Sequence, residues 1–111
     1  MSRKLGTQAA YTDATARQLV DSVLSDLRAR KTNVRCNEMR GHLEKLGYTL
    51  TPGKCEGHKI VTHHALVGFT TTSYDCGHAK NGIIKLPYTV KIIRAISDFQ
   101  EGLISYLKDP K

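Results

Sequence analysis

Hydrophobic positions along the chain change period twice, dividing it into a helical, an extended and a second helical stretch. From Thr12 or Asp13, either of which can cap a helix, Ala16, Leu19, Val20, Val23, Leu24 and Leu27 recur at helical spacing and run into Arg28-Ala29-Arg30-Lys31. The pattern predicts an amphipathic helix with cations at its C-terminal end, where the helix dipole favours them. Its apolar stripe must bury against the rest of the domain or against a second copy, the latter giving a homo-oligomer. A second helix is predicted from Cys36 to Gly47, with Met39, Leu43 and Leu46 on one side and His42 off that stripe as a surface histidine. Gly47 is placed to end it, since glycine adopts the left-handed conformation cheaply.

The period then shortens. Tyr48-Thr49-Leu50-Thr51 alternates, Pro52-Gly53 breaks the pattern, Ile60 to Val67 is rich in β-branched residues, and Phe69 to Tyr74 forms a third extended segment after a turn at Gly68. Pro87 opens a final helix, in which Val90, Ile93, Ile96, Phe99, Leu103 and Leu107 keep helical spacing. The predicted fold is α+β: an additional N-terminal helix, then αβββα with a three-stranded antiparallel sheet, the arrangement of double-stranded-RNA-binding domains. Residues 1–33 read as a basic extension carrying the first helix, and residues 34–111 as the domain proper.

Charge adds a partner class. The net charge of +7 comes from 17 Lys and Arg against 10 Asp and Glu. Residues 1–35 hold seven basic and three acidic side chains, residues 36–78 four of each, and residues 79–111 six and three. Basic ends favour a polyanion, through phosphate contacts that are insensitive to sequence and sensitive to salt. No run approaches the roughly 18 apolar residues of a membrane span, and Met1-Ser2-Arg3-Lys4 is not followed by the apolar stretch of a secretory signal, so no membrane partner and a cytoplasmic location are expected. Three cysteines, Cys36, Cys55 and Cys76, are an odd number without a dense framework. They read as reduced thiols, at least one of them free or intermolecular.

An ordered set of motifs resembles the HicA-type mRNA interferase toxins of type II toxin–antitoxin systems. The matching residues are Leu43-Glu44-Lys45-Leu46-Gly47-Tyr48, then Gly57-His58 with His63 five residues on, then His78-Ala79-Lys80, then Pro87-Tyr88-Thr89-Val90 with Ile93. Order and most spacings agree over roughly residues 36–97. Gly57 stands where the family usually has Ser, Ala65-Leu66-Val67-Gly68 is unusually apolar, and residues 1–33 have no counterpart in the family.

The resemblance implies an endoribonuclease that cleaves mRNA without a metal or cofactor, with His58 as the base that takes the ribose 2′-OH proton and a HicB-type antitoxin as protein partner. Histidine suits that task because its ordinary pKa of about 6.5 lies near working pH. If Val61 is a core residue, strand alternation turns His58 to solvent. A hairpin about Gly68 would bring Cys76 and His78 towards His58, with His78 as acid or phosphate contact and Lys80 and Lys85 stabilising charge. Lys54, Lys59, His78, Lys80 and Lys85 are the candidate RNA contacts, while His63 and His64 read as structural or surface residues. The same hairpin offers Cys55, His58, Cys76 and His78 as four zinc ligands, and with them the alternative of a non-catalytic RNA-binding or adaptor module. No phosphate-cradling glycine loop or paired carboxylates support a small-molecule enzyme.

Overall fold

The computed structural model describes residues 10–110. Helix α1 (Asp13–Ala29) starts in a capping box: the Thr12 side chain accepts from the Thr15 N–H, and Thr15 Oγ1 accepts from the Thr12 N–H. Helix α2 (Cys36–Lys45) ends ahead of Gly47, whose φ of 92° is the left-handed value expected there. Strands β1 (Thr49–Pro52), β2 (His58–Thr62) and β3 (Thr72–Asp75) form an antiparallel meander in that order. Helices α3 (Leu86–Asp98) and α4 (Gln100–Lys108) complete the chain. The α+β class and the αβββα order with its preceding helix are those predicted.

Helix α1 is built into the single core. Ala16, Val20, Val23, Leu24 and Leu27 are buried together with Ile92 and Ile96 of α3 and Leu103, Ile104 and Leu107 of α4. Arg17 adds bonds to Asp13 and Glu101, and Lys108 one to Asp13, fastening α1 to α4. The stripe that could have joined a second copy is thus covered by the chain's own helices, and dimerisation through it loses its basis.

The final helical stretch is two helices rather than one. Phe99 leaves helical geometry at φ −113°, and its ring meets Phe69 edge-on at 5.3 Å. The break turns α4 so that it lies along α1. His42, expected at the surface, is largely covered at the crossing of α1 and α2, with Nε2 2.7 Å from Asp26 Oδ2. Bonds from Arg30 and then His42 hold the Asp26 carboxyl down at about 2.

Strand β2 is shorter than its β-branched run, for a reason that lies in His63. This residue is buried: Nε2–H donates to the Leu46 carbonyl (3.0 Å), and Nδ1 accepts the Ala65 N–H (3.2 Å). Tyr48 and Tyr106 meet its ring edge-on. With the chain drawn inward at 63, residues 63–71 form a loop pinned by Leu66 and Phe69, and β3 starts only at Thr72.

The cysteines also differ from expectation. Cys36 and Cys76 form a disulfide, with a Cα–Cα distance of 5.5 Å, while Cys55 is free and exposed. The pairing follows from a seam between two segments that are distant in sequence. Arg35 bridges Ile83, the Cys36 N–H donates to the Gly82 carbonyl, and the Ile84 N–H donates to the Val34 carbonyl. The seam sets the first residue of α2 beside the end of β3.

Two predictions follow from this packing. Replacing Cys36 and Cys76 by Ser should cost about 4 kcal/mol by the chain-entropy relation, given their sequence separation of 40. Urea unfolding with and without reductant measures it, and in the oxidised protein one cysteine in three should react with a thiol reagent under denaturing conditions. Burial lowers the His63 pKa from 6.5, with His64 adding to the shift and the Leu46 carbonyl opposing it. The unfolded chain therefore binds more protons, so the stability His63 contributes is complete above pH 6.5 and declines as pH falls below it. That decline should vanish in His63→Phe, and an unchanged pH profile would refute the assignment.

Candidate nucleic-acid interface

The site is assembled around the turn at residues 53–57, which joins β1 to β2. The turn closes with the Gly53 N–H on the His58 carbonyl and the His58 N–H on the Cys55 carbonyl. A Cβ at Gly53 would lie 2.7 Å from the His58 ring, so the imidazole rests directly against that backbone. Gly57 has φ 85°, and a Cβ there would collide with the Gly77 carbonyl. Glycine is therefore required where the interferase family usually has Ser: the β3 exit leaves no room for a side chain.

Strand alternation sorts the candidate residues onto two faces. Val61 and Tyr74 are fully buried and define the core face. His58, the first residue of β2, lies on the other face with Ile60, Ser73 and Asp75 and is half-buried. Its ring makes no hydrogen bond among the described residues.

Its neighbour across the sheet differs from expectation. The β2–β3 register sets His58 opposite Asp75, and Cys76 opposite Gly57 through a 2.8 Å N–H···O bond. The pairing is three residues short of a hairpin about Gly68, because the 63–71 loop absorbs the difference. The His58/Asp75 pair is consequently of the non-hydrogen-bonded kind, in which opposed side chains stand closest. One Asp75 oxygen, Oδ1, accepts the Gly77 N–H at 2.7 Å.

His78 is not a partner of His58. It is exposed, with Nδ1 3.3 Å from Glu56 Oε1. The four-ligand zinc set does not assemble either, because the Cys76 sulfur is bonded to Cys36. Among the described residues no cluster of three or more His, Cys, Asp or Glu could hold a metal ion.

The basic candidates fall into two adjoining clefts that share His78. Lys59 and Lys80 line the first, a cavity of about 200 Å³, together with Asn37 and Arg40 of α2 and the disulfide. Lys85 lines the second, of about 430 Å³, with Cys55, Asp75, Ile83 and Tyr88. Lys54 stands exposed in the turn between the two strands. Asn37, Arg40, Asp75 and Tyr88 were not among the sequence candidates. Asn37 and Arg40 share the polar side of α2, but only the seam brings that side to Lys59.

No known protein family, curated protein or solved structure matches the chain. Among the described residues no helix is long and apolar enough to cross a membrane.

The two glycines of the turn contact give a graded prediction. Gly77 also has positive φ, at 69°, but a Cβ there meets open space. Gly77→Ala should cost about 1 kcal/mol from the left-handed backbone alone. Gly57→Ala adds a backbone collision and should cost about 2–3 kcal/mol. Equal denaturation midpoints for the two variants would contradict the close approach.

Proposed function

We propose that the chain is an RNA-directed endoribonuclease resembling the mRNA interferase toxins, with His58 as its general base. The observation that carries this reading is the placement of His58: on the solvent face of the sheet, at the start of a strand, against a glycine backbone and opposite Asp75. The imidazole takes the ribose 2′-OH proton, the 2′ oxygen attacks the adjacent phosphorus, and the bond from phosphorus to the 5′ oxygen breaks. Asp75 steadies the imidazolium that results, and Lys54 offers charge to the phosphate. With His78 paired to Glu56, the leaving oxygen takes its proton from water. The products are a 2′,3′-cyclic phosphate and a 5′ hydroxyl.

The basic composition, +7 overall, supports a polyanionic substrate, and an active residue on the open sheet face suits inhibition by a HicB-type antitoxin lying over that face. A toxin acting on mRNA works in the cytoplasm. There the glutathione and thioredoxin pools act against the Cys36–Cys76 bond.

A second reading is favoured by the clefts. Lys59 and Lys80 gather on the side of the strand opposite His58, an arrangement that suits an RNA-binding module without catalysis. Induction of the wild type beside His58→Ala in bacterial cells separates the two. Growth arrest with mRNA fragmentation by the wild type, both lost in a folded His58→Ala, supports the nuclease. RNA binding that is equal in the two proteins, without cleavage by either, supports the binding module.

A further inference from the structure

We infer that the cleft between α2 and the loop after β3 is a phosphodiester subsite for single-stranded RNA, formed by Arg40, Asn37, Lys59 and Lys80. The adjoining cleft at Tyr88 receives the neighbouring base. The inference rests on the RNA-directed reading above and extends it to side chains on α2 and α3.

Arg17 is committed to Asp13 and Glu101, and Arg30 to Asp26 and Glu38. Arg40, Lys59 and Lys80 come from a helix, a strand and a loop, yet line one cavity of about 200 Å³. None of the three is paired with a carboxylate among the described residues. The acid at this cleft, Glu56, is turned to His78. Three cations against the one carboxylate of Glu56 leave the cleft with a net positive charge, which a bound anion offsets.

The donor set indicates which anion. Arg40 offers a planar fork matched to phosphate oxygens, and the lysines contribute point charges. Asn37 contributes a side-chain amide, its own N–H being engaged by Asn81 Oδ1 at 2.9 Å.

The neighbouring cleft argues for a nucleotide chain over an isolated phosphate. It shares Glu56, Gly77 and His78 with the first and adds Tyr88, Lys85 and the exposed Ile83. An aromatic ring and an apolar side chain one step from a phosphate pocket are what an unstacked base requires. Lys91 Nζ lies 5.3 Å from the centre of the Tyr88 ring, adding charge beside it.

The test uses fluorescence anisotropy with a labelled, 2′-O-methylated single-stranded RNA of about twelve nucleotides, within the span such grooves cover, so that binding is read without cleavage. Arg40→Gln and Lys59→Gln should each weaken binding about ten-fold, and the double variant should reduce the salt slope by about 1.4. Tyr88→Ala should weaken binding about ten-fold with the slope unchanged. Arg40→Lys should recover part of the loss, and Arg94→Gln, at an exposed position on α3, should match the wild type.

A double variant with wild-type affinity and slope overturns the subsite. So does a wild type that ignores RNA but binds polyglutamate, which would make the cleft a site for an acidic polypeptide. Cleavage of unmodified RNA separates this inference from the nuclease reading. Loss of binding in the cleft variants with no His58-dependent cleavage supports the subsite and rejects the nuclease. His58-dependent cleavage with unchanged KM in the cleft variants does the reverse.

Discussion

The geometry of the basic clefts depends on the seam between residues 34–37 and 76–84. Without it, the start of α2 and the exit from β3 would be two separate pieces of surface. The disulfide, the two backbone bonds at Cys36 and Ile84 that make the Arg35–Ile83 bridge, and Asn81 on the α2 N-terminus tie them into one wall. These contributions are unequal. Each hydrogen bond is worth about 1 kcal/mol net, whereas the covalent link removes several times that amount of chain entropy from the unfolded state. The disulfide alone is comparable to the sum of those bonds, so the wall that carries Lys59 and Lys80 is strengthened by a bond whose existence depends on the redox surroundings. Proton balance, by contrast, acts on the other end of the sheet, where His63 is buried.

His63 is the second fixed point, and it determines what His58 faces. With the Ala65 N–H taken by its ring, β2 does not run on through Ala65 to Val67. Those residues pass into a loop instead, and the register follows. A hairpin about Gly68 would have given His58 a histidine and a cysteine as neighbours; the loop gives it an aspartate. The surroundings of the half-buried His58 imidazole are thus fixed by a different imidazole buried in the core.

The parts of the fold legible in the sequence were those with local causes. The stripe of α1, Thr12 at its cap, Gly47 at the end of α2, Pro87 at the start of α3 and the order of three strands all express local propensity. The outward direction of His58 was legible too, because it needed only that Val61 be buried. The break at Phe99 was hidden because Ile96, Phe99, Leu103 and Leu107 keep helical spacing through it, so periodicity carries no mark of the turn. His42 appeared exposed because its cover comes from Asp26 on another helix. The disulfide and the register are effects of tertiary contact. Three cysteines cannot name their own pairs, and nothing local announces that a histidine will seek a distant carbonyl.

For the RNA-directed function proposed above, the division of charged groups bears on the kind of strand the surface would take. His58 and Lys59 are consecutive, so their side chains leave opposite faces of β2 at the end of the sheet closed by the 53–57 turn. A ligand that reaches both the imidazole and the cleft must bend around that end within a few residues' length. Duplex nucleic acid, with a persistence length of about 150 base pairs, does not bend so sharply without a large cost. A single strand does, and its unstacked bases are free to meet Tyr88 on the way. The αβββα order, which is also that of double-stranded-RNA-binding domains, therefore does not carry their ligand with it. On the RNA-directed reading proposed above, the placement of charge around the end of the sheet favours a flexible strand.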